Sequence, residues 1–240
     1  MKVLVIIPAY NEEENILKVI NELRKDASFC DILVINDASK DNTLNILKKA
    51  KVNVINNIFN MGYSRSIQVG IKYAYENDYD YVVSFDGDFQ HIAAYVKPLV
   101  DKAVKTNADI VIGSRYLKKG YKQFFLRYVA TKFFSFLIRI FCKKKITDPL
   151  SGMQCLNKRV MKEYSLMDFF PEYVDANLII EMLFKGYKIE EVPVKMRQRS
   201  AGVSMHSGII APMKYMIRMI YFIILILIIR KKRWVWIIFL

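Results

Sequence analysis

The chain has 240 residues, 53% of them hydrophobic, and a formal net charge of +14, enough for one large domain or one domain with an appendage. His91 and His206 are its two histidines, which argues against a His-rich zinc site or a His-relay triad. Its three cysteines, Cys30, Cys142 and Cys155, have no metal-ligand spacing and read as reduced thiols of a cytosolic compartment.

In chain order, KVLVIIPAY predicts a short apolar strand ending at a proline. The acids of NEEE follow too early for a signal peptide. NEEENILKVINELRKD has apolar residues at helical spacing, with acids in its first turn where they suit the helix dipole. DILVIND predicts a second strand, and SKDNTLNILKKA a helix opened by capping-type residues. VNVINN predicts a third strand, MGYSRSIQVGIKYAYEN a helix and DYVVSFDGD a fourth strand. This alternation predicts an α/β fold with a mostly parallel, doubly wound, Rossmann-like sheet. Ligands of such sheets bind beyond the carboxyl ends of the strands. Tyr10, Asn11, Glu12, Asp37, Asp86 and Asp88 fall there.

Two later segments differ. Residues 121–142 predict a strongly apolar helix with Arg127, Lys132 and Arg139 spread along it. Cations suit membrane headgroups better than a core, so this helix is expected at a membrane interface. From Met219 to Ile229 an apolar run of 11 residues precedes RKKR and WVWIIFL. That is short of the roughly 20 residues of a span, and a helix in the membrane plane is expected instead. The division expected is a domain over 1–208 and a membrane-associated helical segment over 209–240. Ten basic residues and no acid lie between Arg115 and Lys145, and nine more with no acid follow Val192. Both stretches are also apolar, which points to anionic lipid rather than nucleic acid.

The acids of FDGDFQH raise the chemical question. In an extended strand Asp86 and Asp88 would face one side, with Gly87 allowing close approach of a ligand or an unusual backbone angle. With the amide oxygen of Gln90 they form an oxygen-only site suited to Mg²⁺ or Mn²⁺. Asp175, in PEYVDANLIIE, is a possible general base or a helix cap.

Seven segments in order, IPAYNEEENI, VINDASKDNT, FDGDFQH, GSRY, TDPLSGMQCLNKRV, EEVPV and RSAGVS, resemble the family 2 glycosyltransferases of the GT-A fold. Among these the chain is most similar to dolichyl-phosphate mannose synthase-like and bacterial polyprenyl-phosphate sugar transferases. The resemblance covers roughly residues 2–205. It implies that Pro8, Tyr10, Glu12 and Asp37 bind the nucleotide-sugar donor, and that Asp86, Asp88 and Gln90 hold the metal. It implies that Arg115, Arg127 and Thr131 hold the acceptor phosphate, and that Arg199 closes on the diphosphate. The catalytic set expected is thus Asp88, Arg199 and Asp175. Two departures stand out: the usual DAD reads DGD, and the lysine often following the closing loop's G-x-S is Met205.

The activity expected is inverting transfer to a polyprenyl phosphate at the cytoplasmic face of the cell membrane. The alternative is a glycan hydroxyl as acceptor. Expected partners are the nucleotide sugar, the polyprenyl phosphate, anionic membrane lipid and either a small membrane protein or a second copy of the chain.

Overall fold

The computed structural model describes residues 1–118, 125–168, 170–198 and 210–238. Its first half follows the expected rhythm. β1 (Val3–Ala9), β2 (Asp31–Asn36), β3 (Asn53–Asn56) and β4 (Tyr81–Ser84) alternate with α1 (Ile16–Asp26), α2 (Thr43–Lys49) and α3 (Tyr63–Glu76). α4 (Val96–Thr106), β5 (Ile110–Ser114), α5 (Phe125–Cys142), β6 (Gln154–Asn157), α6 (Lys158–Ser165), α7 (Ala176–Phe184), β7 (Ile189–Pro193) and α8 (Ile210–Ile238) follow. The seven strands form one sheet in the order β3-β2-β1-β4-β6-β5-β7. Every pairing is parallel except those of β6, which runs antiparallel to both β4 and β5.

Alternation along the strands builds a core on each face of the sheet. Val3, Val5 and Ile7 of β1 join Val34, Val83 and Val111 against α1, α2 and α4. Leu4 and Ile6 join Leu33, Ile35, Val82 and Ile112 against α3, α5, α6, α7 and α8. α1 docks through Ile16, Val19, Ile20 and Leu23, one helical stripe.

Three local expectations change. α1 starts at Ile16, so the acids Glu12 to Glu14 precede it and none lies in its first turn. Asn11 has φ +56°, which breaks any helix there. The acidic segment is instead tied to the loop before α2. The Glu12 N–H donates to Thr43 Oγ1 (2.9 Å), the Glu13 N–H to Asp41 Oδ2 (3.1 Å), and Asn42 N–H to Glu13 Oε2 (2.9 Å). β4 ends at Ser84, so Asp86 and Asp88 sit in a turn beyond it and not on extended chain. Gly87 does not adopt positive φ; the left-handed residue of the turn is Phe89, at +63°.

The predicted helix over 121–142 is α5 from Phe125 onward, and 121–124 lie outside the described residues. Thr131, Phe134 and Ile138 are its buried stripe, while Tyr128, Val129, Phe133, Phe136, Ile140 and Phe141 are exposed. In α8, Tyr215, Met219 and Ile223 are buried in the same core, at spacings of one turn. Met213, Ile217, Tyr221, Ile224, Ile228 and Ile229 are exposed. Among the described residues no helix is long and apolar enough to cross a membrane.

Candidate active site

The acidic turn is held from several sides. The Asp86 N–H donates to His91 Nδ1 (3.0 Å), and Asp86 Oδ2 lies 3.4 Å from His91 Nε2. His91 is buried, with its ring edge-on to Phe85 at 5.1 Å, so it braces the turn from inside. Asp86 Oδ1 accepts from the Tyr63 hydroxyl at the start of α3 (2.9 Å). Burial first, and the charge of Asp86 next, push the Tyr63 pKa well up, so it stays a donor. Asp88 Oδ1 accepts the Gln90 N–H (3.0 Å), a local turn bond typical of Asp. Gly152 packs over this group: a Cβ there would lie 3.1 Å from the Tyr63 hydroxyl and 3.5 Å from Asp86 Oδ2.

Beside the turn lie the ends of β1 and β2. A Cβ on Gly87 would lie 3.2 Å from the Pro8 carbonyl oxygen and 3.6 Å from Glu12 Cγ. The close approach that Gly87 permits is therefore to the chain's own backbone. Glu12 Oε2 accepts from Asn15 Nδ2 (3.1 Å), and Tyr10 is 41% exposed. Asp37 is buried and accepts from Asn57 Nδ2 (2.8 Å), the Met61 N–H (2.9 Å) and the Gly62 N–H (2.8 Å). All three donors belong to the loop before α3, which Asp37 fastens to the end of β2.

On the other side stands Asp175, immediately before α7. Its Oδ2 accepts from the Tyr215 hydroxyl of α8 (2.8 Å). No side-chain cap bond forms at α7, so Asp175 does not act as a helix cap. Burial pushes its pKa up to about 6, against the opposing effects of the Tyr215 hydrogen bond and Arg115. Arg115 forms a bidentate pair with Asp148, Nε to Oδ2 at 2.7 Å and Nη2 to Oδ1 at 2.8 Å, with both side chains buried. Glu191 of β7 braces that turn by accepting from the Thr147 N–H and hydroxyl (both 2.9 Å) and the Asp148 N–H (3.0 Å). Arg127 is exposed on the first turn of α5. Thr131 is buried, and its hydroxyl donates to the Arg127 carbonyl (2.8 Å).

A strand-end cluster of carboxylates on a sheet of this topology narrows the field, and sequence comparison closes it. The model of the glycosyl transferase family 2 matches residues 4–165. The chain belongs to this family. A dolichol-phosphate mannosyltransferase of Pyrococcus furiosus is 33% identical to this glycosyltransferase, over 87% of this chain and 60% of that one. A polyprenol monophosphomannose synthase of Mycolicibacterium smegmatis is 27% identical, over 86% and 82%. Among solved structures, glucosyl-3-phosphoglycerate synthase of Mycobacterium tuberculosis, in complex with Mn²⁺, uridine diphosphate and glucosyl-3-phosphoglycerate, superposes with a TM-score of 0.65 at 17% identity. That match covers 90% of this chain and 79% of that one, and it shares the fold.

The glycosyltransferase thus gathers Pro8, Glu12, Asp86, Asp88 and Gln90 at the ends of β1 and β4, with Tyr10 at the rim. Asp37 lies one strand further out, its carboxylate engaged by its own loop. Arg115 and Thr131 were expected at an acceptor phosphate, yet the Arg115 fork is engaged by Asp148 and the Thr131 hydroxyl by its own helix. Arg199 and Met205 lie outside the described residues. Sequence reasoning missed Tyr63, His91, Gly152, Tyr215 and Glu191. For His91 the signal was present, a rare histidine five residues after Asp86; for the others there was none, because their partners are distant in the chain.

The donor set fits a hard cation. The carboxylates of Asp86 and Asp88 and the amide oxygen of Gln90 are oxygen ligands, the kind such an ion takes, although among the described residues no group of three or more His, Cys, Asp or Glu side chains could hold a metal ion. An ion here would draw further oxygens from a ligand, as Mg²⁺ usually does with phosphates.

Proposed function

We propose that this glycosyltransferase moves a sugar, with inversion, from a nucleotide-sugar donor to a polyprenyl phosphate at the cytoplasmic face of the cell membrane. The observation that carries this reading is the outer surface of α5 and α8. Large apolar side chains are exposed along both helices; on α5 they accompany Arg127 and Lys132, and α8 reaches Asp175 through Tyr215. A phosphate on a long hydrocarbon needs that combination: cations for its head and an apolar path for its tail. The names of the two relatives, a dolichol-phosphate mannosyltransferase and a polyprenol monophosphomannose synthase, support the same acceptor class.

On this reading Tyr10, Glu12 and the loop fastened by Asp37 bind the nucleotide end of the donor. Asp86 and Asp88, with Gln90, would hold Mg²⁺ or Mn²⁺, which supplies charge stabilisation for the departing diphosphate. Arg199 adds positive charge there. The acceptor phosphate is already an anion at neutral pH, so it needs placement rather than deprotonation. Arg127 provides that from the exposed start of α5, while Arg115, through Asp148, stiffens the wall behind it. A second reading has one observation in its favour. With a pKa pushed up to about 6, Asp175 suits a general base, as a glycan hydroxyl acceptor would require.

The two readings separate in one experiment. Purified protein is incubated with radiolabelled nucleotide sugars and Mn²⁺, with undecaprenyl phosphate or with free oligosaccharides, and the products are partitioned between organic and aqueous phases. Label in the lipid phase, dependent on undecaprenyl phosphate, is expected. Label transferred to oligosaccharide alone would overturn the lipid reading in favour of the second.

A further inference from the structure

Past β7 the chain crosses in front of the acidic turn, and Arg197 meets each of the three residues after Asp88. Its guanidinium lies over the Phe89 ring, 4.4 Å from the centroid. Its N–H donates to the Gln90 carbonyl (2.9 Å), and its own carbonyl accepts from Gln90 Nε2 (3.4 Å). Its Nη1 donates to the His91 carbonyl (2.9 Å). The same fork grips Glu22 of α1, Nη1 to Oε2 at 2.9 Å and Nη2 to Oε1 at 3.1 Å. Glu22 in turn accepts the Ala93 N–H (2.9 Å) just beyond the turn.

Phe89 is the residue this clasp encloses. A bulky residue at φ +63° is strained, and such strain persists where the surroundings over-determine it. The left-handed residue also turns the chain so that the Gln90 N–H reaches Asp88. We propose that Arg197 is a positioning residue for the acidic turn. It holds Phe89 in its left-handed conformation and so keeps Asp88 and Gln90 aimed at the ligand. The inference rests on the nucleotide-sugar reading above. A structural ion pair would need charge alone, whereas stacking and a two-sided fork need arginine, which lysine does not replace.

The test measures binding by calorimetry, with Mn²⁺ plus UDP or GDP, whichever nucleoside diphosphate the unaltered protein binds more tightly. Steady-state kinetics and melting temperature are recorded alongside. Arg197→Met and Arg197→Lys are both expected to weaken Mn²⁺-dependent binding by about 10-fold or more, as for residues that orient metal ligands. KM for the nucleotide sugar should rise more than kcat falls. Phe89→Asn in the Arg197→Met background should recover part of the affinity, because asparagine adopts the left-handed conformation more readily. Should Arg197→Met fail to fold, Glu22→Gln decides, with a smaller loss in the same direction expected. Unchanged binding in the folded variants, or full function in Arg197→Lys, overturns the inference alone. An unaltered protein that binds neither diphosphate overturns the nucleotide-sugar reading with it.

Discussion

Asp175 changes protonation at mildly acidic pH. Tyr215, Tyr173, Tyr63, Arg115, Asp148 and Asp86 face it, and burial dominates in pushing its pKa up to about 6. Between the ordinary aspartate value of about 4 and about 6, the folded chain keeps a proton that the unfolded chain releases. The contribution of Asp175 to stability is therefore complete below the lower value and is lost as pH rises through the upper one. Activity has the opposite sign if the carboxylate is the working form, rising through pH 6. Tyr215→Phe removes the hydrogen bond that favours the carboxylate and should move the midpoint of kcat/KM against pH upward. An unmoved midpoint would separate Asp175 from the rate. Arg115 gives the second prediction. Arg115→Met leaves the fully buried Asp148 without its bidentate partner, at a cost of about 3–5 kcal/mol in chemical denaturation. Unchanged stability with lost acceptor use would return Arg115 to the acceptor phosphate. At this scale the sequence identifies which side chains carry charge and which strand ends they follow. It does not say whether the partner of Arg115 is a ligand or Asp148.

Whole elements were the most legible part of the chain, and their ends the least. The stripe of α1 was readable from spacing, but its start at Ile16 depends on Asn11 adopting positive φ and on Thr43 reaching back to Glu12. β4 was readable as an apolar run, but it stops at Ser84, whose hydroxyl is taken by the Gly152 carbonyl (2.6 Å) far along the chain. The lipid-facing reading of α5 came from the cations along it. The structure adds that its buried stripe is narrow and its aromatic residues lie largely outside it. α8 does more than the sequence suggested. Tyr215 stacks edge-on to Tyr173 at 4.6 Å, and Met219 and Ile223 enter the core shared with Phe134. Each such side chain contributes about 1.5–3 kcal/mol by burial. Removing residues 210–240 should therefore lower the melting temperature by roughly 5 °C or more in differential scanning fluorimetry, at about 2–4 °C per kcal/mol for a chain of this size. Removing residues 230–240 should leave it near that of the full chain. Equal melting temperatures for both truncations would show that the first half of α8 is not part of the folded unit.

At the scale of the molecule, the charge of +14 and the exposed apolar faces of α5 and α8 act together. Each basic residue near an anionic leaflet adds on the order of 1 kcal/mol of attraction, screened within a Debye length. Flotation with vesicles should show binding that rises with the fraction of anionic lipid and falls in 1 M salt. Binding indifferent to both would point to hydrophobic insertion as the main contribution. The reversed strand β6 has a further consequence, in time. β1 to β4 have all their mutual partners within the first half of the chain, in the order β3-β2-β1-β4. β5 has no partner in that set, since its neighbours β6 and β7 come later in the chain. β5 joins the sheet only through β6 and β7, so its half of the sheet is expected to follow the insertion of β6 beside β4, which brings Val83 opposite Cys155. Cys155 is fully buried in β6 and closes to thiol reagents at that step. With Cys30 and Cys142 replaced by serine, labelling of Cys155 during refolding should persist after the β1 and β2 amides have become protected from exchange. Simultaneous protection would mean that the two halves of the sheet are born together.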